Sequence, residues 1–114
     1  MEYNLSINRG LSFVETVQLK NDDNSPLDLT GSSFLLQIRD HVFSTDYRIN
    51  ATNSNGLLAV TPLLGIVDIK LPPTETSKLV MNIGSYDLIQ TTPTGDKVKI
   101  ISGSVTINPT VSRT

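Results

Sequence analysis

His41 is the only imidazole in the chain, and it follows Asp40 at the end of the segment "SFLLQIRD". General acid–base work would need a nucleophile and a cleft beside it, and metal binding would need further ligands at suitable spacing. Neither is visible, so His41 reads as a strand-end side chain. Asp22, Asp23 and Asp28 could offer oxygens to a calcium ion, but the EF-hand spacing, with its central glycine and closing glutamate, is absent. A solvated turn is the simpler reading. Glu75 lies between Thr74 and Thr76, whereas glycosidase chemistry asks for two carboxyl groups flanking a bond. No Gly-x-Ser-x-Gly elbow and no glycine-rich phosphate loop occurs. "NLS" at Asn4 and "NAT" at Asn50 match the glycosylation sequon, which reads as chance without a leader peptide.

These side chains would have to be positioned by strands. Tyr3, Leu5 and Ile7 alternate with polar residues, as a half-buried strand requires. The phase continues through Leu11, Phe13, Val17 and Leu19, but Glu15 falls on the apolar side and Val14 on the polar one, so a bulge or kink near Glu15 is expected. "NDDNSPLDLTG" is a cluster of turn formers, with Pro26 to preset φ and Gly31 to take a positive φ. Phe34, Leu36 and Ile38 then share a face, and Leu35 on the other face suits a strand near the middle of a sheet. Ile49 and Ala51, followed by Asn55-Gly56 and "LLAVT", read as a short hairpin ribbon.

Pro62 to Gly65 is another turn, and Val67, Ile69 and Leu71 mark the sixth strand. "PPTETSKL" suits one helical turn that crosses between sheets. "GSYDLIQTTPTGDKVKIISGSVTINP" reads as a long hairpin with its tip at "TPTGD". Val98 and Ile100 occupy one parity and Ile101, Val105 and Ile107 the other, so a bulge is expected near Ser102 and Gly103.

At 114 residues, residues 1–114 form one domain, which buries somewhat under ~70% of the surface of its unfolded chain. Without cysteine, stability must come from packing, and with six aromatic residues (three Tyr, three Phe) the core must be mostly aliphatic. The formal charge is −2 and the nine Lys and Arg are scattered, which argues against nucleic acid as a partner. No apolar run approaches the ~20 residues of a membrane span, and Met1-Glu2-Tyr3-Asn4 does not read as a leader, so synthesis in the cytoplasm is expected.

Read in order, "NRG", "LDLTGSSFLLQIRD", "GIVDIKLPPTETSKL", the long hairpin and the closing "TVSR" resemble small β-sandwich modules of tailed-bacteriophage tail, baseplate and fibre proteins. The chain is similar in particular to the baseplate upper-protein N-terminal domain. The resemblance spans almost the whole chain and rests on the order and spacing of its pieces. It implies a non-enzymatic virion structural protein, a connector or adaptor in the tail or baseplate, with no catalytic residue and no cofactor. Its partners would be other virion proteins, met in multiple symmetric copies. Because the chain stops at Thr114 where longer relatives continue, a connector role is expected rather than direct host recognition.

The expected fold is all-β: an Ig-like antiparallel β-sandwich of about seven or eight strands with one short helical turn. The expected contact residues lie on exposed loops and ends: Asp22, Asp23, Asn24, Thr94, Gly95, Asp96, Lys97, Val111 and Arg113. The strand "KIISGSVTINP" is expected to offer an edge with few charges. The alternatives are a capsid-decorating module or a carbohydrate-binding one, with Tyr47, Phe43 and Tyr3 as aromatic platforms. An enzyme using His41 or Glu75 is the weakest reading.

Overall fold

A computed structural model describes residues 3–41, 46–79 and 81–108. The alternating stretches become eight strands: β1 (Leu5–Asn8), β2 (Phe13–Gln18), β3 (Ser33–Arg39), β4 (Ile49–Thr52), β5 (Leu58–Thr61), β6 (Ile66–Leu71), β7 (Ile83–Thr91) and β8 (Lys97–Asn108). A 3₁₀ turn spans Pro62–Leu64, and the one helical turn, α1, spans Pro73–Thr76. One sheet has the order β1-β8-β7-β3-β4 and the other the order β2-β6-β5. All neighbours are antiparallel except β1 and β8, which run parallel.

The apolar parity of each strand points between the sheets. Leu5, Ile7, Phe34, Leu36, Ile38, Ile49, Ala51, Tyr86, Leu88, Ile101, Val105 and Ile107 come from the larger sheet; Val17, Leu58, Val67, Ile69 and Leu71 answer from the smaller. Leu19, Leu29 and Leu79 close the layer from the connections. Each of the larger aliphatic and phenylalanine side chains contributes about 1.5–3 kcal/mol by leaving water. β3 is paired on both sides, in keeping with Leu35 on its outer face. α1 carries the chain from β6 in one sheet to β7 in the other, with Pro73 in its first position as the sequence suggests.

Arg9 locks that crossing. Its Nε donates to the Leu79 carbonyl at 2.5 Å and its Nη2 to the Met81 carbonyl at 3.2 Å. The buried Thr76 hydroxyl accepts from the Gly10 amide at 3.1 Å and donates to the Leu11 carbonyl at 2.8 Å. The "NRG" segment therefore serves to fasten β1 and β2 to the helical turn.

Four local expectations are corrected. β2 has no bulge near Glu15: it pairs with β6 in unbroken register from Phe13–Leu71 to Gln18–Ile66. Glu15 keeps its inward parity because β2 is an edge strand, and its carboxylate reaches the margin to accept the Tyr3 hydroxyl at 3.0 Å. The segments on either side of Asn55-Gly56 do not form a hairpin, since β4 pairs with β3 and β5 with β6 in different sheets. The Asn55 side chain binds the Thr52 and Leu57 amides and the Asn50 carbonyl, so it holds a wider crossing loop instead of a tight turn.

The bulge in β8 lies at Ile100, between the pairs Leu88–Ile101 and Ile89–Lys99, and not at Ser102 and Gly103. Gly103 stays in register opposite Tyr86, and glycine is required there because a Cβ would stand 2.4 Å from the Tyr3 carbonyl oxygen. Last, β8 is an open edge along only part of its length, because β1 pairs with Val105–Asn108.

Candidate interaction surface

Two of the expected contact loops stand at one end of the sandwich, where β7 ends and β8 begins and where the chain passes from β2 to β3. The first is a hairpin tip closed by the Lys20–Pro26 bridge. The Asn21 amide donates to Ser25 O at 2.8 Å and the Asn24 amide to Asn21 O at 3.0 Å. Asn24 takes φ +72°, a left-handed conformation that asparagine tolerates better than most residues. Asp23 Oδ1 accepts both the amide (3.0 Å) and the hydroxyl (2.5 Å) of Ser25, and these bonds hold its carboxyl below the usual range. Asp28 is held low in the same way by the hydroxyl and amide of Thr30.

The second tip is Thr92–Asp96, closed by Thr92 N to Asp96 O at 2.8 Å and by Gly95 N to Thr92 O at 2.9 Å. Thr94 Oγ1 donates to Asp96 Oδ2 at 3.2 Å. Pro93 packs against Gly31, whose φ is +79° as its place in the turn cluster implied. Leu29 N in turn donates to Pro62 O at 3.0 Å, so the Pro62–Leu64 turn belongs to the same end.

The structure thus brings Asp22, Asp23 and Asn24 onto one exposed tip and Thr94, Gly95, Asp96 and Lys97 onto another. Val111 and Arg113 lie outside the described residues, as does Phe43. The strand before Val111 and Arg113 ends with Asn108 opposite Asn8, at the far end from the tips. Sequence reasoning passed over Leu63 and Leu64, which are 74% and 52% exposed on the 3₁₀ turn between the tips' supports. The available signal was "PLLG", two adjacent leucines in a turn that no alternating strand pattern could bury.

Beside the second tip runs the part of β8 that no other strand among the described residues covers on its outer edge. Lys97, Val98 and Lys99 are exposed and Ile100 is half-buried. Tyr3 N donates to Ser102 O at 2.9 Å and Ser104 N to Asn4 Oδ1 at 3.1 Å, so the cover supplied by the N-terminal segment begins at Ser102.

The remaining candidates sit elsewhere. Asp40 binds Arg48 through both oxygens, at 2.8 and 3.0 Å, and that guanidinium holds its carboxyl below the usual range. Glu75 pairs with Lys78 at 3.0 Å. Among the described residues no three His, Cys, Asp or Glu come together as a metal site would need. Tyr47, 51% exposed, lines an open groove of about 400 Å³ with Arg48, Asn50, Asn55, Leu57, Glu75 and Lys78.

At the open margin between β1 and β2, Tyr86 donates its hydroxyl to the Tyr3 carbonyl while Tyr3 donates to Glu15. Burial, then the charges of Tyr3 and Glu15, push the Tyr86 phenol up from 10.0 to about 12. A phenol raised on folding favours the folded state fully below its unfolded value and loses that contribution as pH climbs towards the folded one. Thermal melts should therefore fall between pH 10 and 12. The Tyr86→Phe variant should start lower at neutral pH, by about 1 kcal/mol for the lost hydrogen bond, and decline less over that window. Parallel declines in the two proteins would show that Tyr86 is not the group responsible.

No family model matches the chain, and no curated protein sequence matches it. Among solved structures, the extracellular domain of the voltage-gated sodium channel beta4 subunit superposes with a TM-score of 0.53 at 8% identity, over 96% of this chain and 93% of that one. A second structure, of VGSC beta subunits, gives 0.51 at 9% identity, over 97% and 93%. CopC from Methylosinus trichosporium OB3b gives 0.50 at 10% identity, over 96% and 90%. At such identities the likeness is one of fold, and the fold is an Ig-like β-sandwich. No helix among the described residues is long and apolar enough to cross a membrane.

Proposed function

We propose that this chain is a non-enzymatic structural subunit of a tailed-bacteriophage virion, a tail, baseplate or fibre connector that assembles through protein–protein contacts in several symmetric copies. The observation that carries the assembly reading is the convergence, at one end of the sandwich, of two self-bonded tips, two exposed leucines and an uncovered strand edge. Tips stiffened by their own hydrogen bonds lose little conformational entropy on docking. The virion setting rests on the sequence resemblance described above. An Ig-like sandwich serves association in the sodium channel beta4 subunit, whose extracellular domains form parallel homodimers, but only the fold is shared with that protein.

Cross-linking mass spectrometry on purified particles tests the proposal. Links from Lys97 or Lys99 to a tail, baseplate or fibre subunit are expected. Links to the major capsid protein would make the chain a head decoration, and its absence from the particle would remove the virion reading.

One observation favours a second reading, a carbohydrate-binding module. The Tyr47 groove offers an exposed ring beside amide, carboxylate and cationic groups, and its volume falls in the range of small-ligand sites. A glycan array would separate the two readings: binding that is lost in Tyr47→Ala supports the module, and a blank array counts against it.

A further inference from the structure

β8 pairs with β7 from Lys97 to Thr106, around the bulge at Ile100, but with β1 only over Val105–Asn108. From Lys97 to Ile101 no strand lies beside its other edge among the described residues. At ~3.3 Å per residue this stretch is about 17 Å long, room for one ordinary strand beside its outward N–H and C=O groups. We infer that this edge takes an added strand from a partner protein, and that the strand is acidic. The inference rests on the assembly reading and names the chemistry of its contact.

The side chains decide the occupant. Lys97 and Lys99, two residues apart, share the outer face of the sheet, opposite Thr91 and Ile89 on β7. Val98, on the inner parity, remains 43% exposed. A second copy of this chain fits poorly. In antiparallel pairing centred on Val98 each of these lysines faces a lysine of the other copy, and centred on Lys99 that lysine faces its own counterpart. Like charges directly opposed across strands are destabilising. Edge lysines and a bulge such as the one at Ile100 are also ordinary devices against indiscriminate edge pairing. The same lysines favour a strand with carboxylates at alternate positions and an apolar residue between them to cover Val98. Asp87, 3.8 Å from Lys99 Nζ, shows that a carboxylate can already reach that ammonium from the outer face.

The test titrates the full chain at low salt with the blocked peptide Thr-Glu-Val-Glu-Val-Glu-Thr and with its lysine counterpart, followed by amide hydrogen exchange. The acidic peptide is expected to slow exchange of the outward amides within 97–101 by about tenfold or more, while the basic one leaves them unchanged. Lys97→Glu/Lys99→Glu, with both changes at exposed positions, should keep its circular dichroism spectrum and reverse the preference. Three results would overturn the inference: no protection at millimolar peptide, protection that maps elsewhere, or protection that grows with protein concentration alone, which would make the occupant a second copy. Failure here alongside virion cross-links from Lys20, the exposed lysine at the base of the other tip, would leave the assembly reading intact and remove only the edge.

Discussion

Aspartate in place of Val105 is expected to leave the chain unfolded at room temperature. Val105 is fully buried, paired with Gly84 on β7 and Leu5 on β1, so a carboxylate there would be cut off from water. The substitution forfeits about 1.5–3 kcal/mol of apolar burial. It also introduces a desolvated polar or charged group, which costs several kcal/mol more, by roughly 2–7 for an unpartnered polar group alone. Against a domain stability of about 5–15 kcal/mol, the sum removes most or all of the folded population. Ile107→Asp should do the same. Val98→Asp is the control, since it lies on the same strand but in the uncovered stretch, and it should cost about 1 kcal/mol or less. Circular dichroism melts of the three variants check this directly. A folded Val105→Asp protein would mean that the second half of β8 does not face the core.

Gly65→Ala should be the most damaging of the glycine substitutions that add a single methyl in a turn. Gly65 closes the Pro62–Leu64 turn at φ +65°, and its carbonyl accepts the Leu19 amide at 2.7 Å. A Cβ there would stand 2.4 Å from the Leu19 carbonyl oxygen and 2.9 Å from that of Leu27. The left-handed backbone costs an alanine about 1–2 kcal/mol. The clash is with backbone, which cannot swing aside, so Leu19 and Leu27 must shift together and the total reaches about 3 kcal/mol, the upper end for single substitutions. Gly95 offers the comparison: it too has a positive φ, +95°, but a Cβ there meets nothing within 4 Å. Gly95→Ala should therefore show the conformational cost alone. Denaturant midpoints for the two variants isolate the clash as their difference, and equal shifts would refute it.

Much of this architecture was legible because alternation is a local property. Leu5 and Ile7, Phe34 to Ile38, and Val67 to Leu71 declare a buried face by period two alone, whichever strands they meet. Turn chemistry was local as well: the clusters around Asn24 and Gly95 announced the two tips, Gly31 its positive φ, and Pro73 the first position of the crossing helix. The parity change between Val98 and Ile101 announced that β8 had to carry an extra residue.

Which strands pair was a different matter. Asn55-Gly56 is as good a hairpin signal as the chain contains, yet β4 pairs with β3 and β5 with β6, in separate sheets. Glu15 could stay inward only because β2 became an edge, and Gly103 was needed where the Tyr3 backbone arrives from the far end of the chain. Among the described residues, the N-terminal segment covers β8 only from Ser102 onward, where the Tyr3 amide meets it. The sequence by itself determined the strands, their buried faces and the tips, since these follow from residue type and spacing over a few positions. The tertiary structure alone decided the partners, the site of the bulge and the uncovered edge, because those depend on competition between distant segments for the same backbone hydrogen bonds and the same core volume.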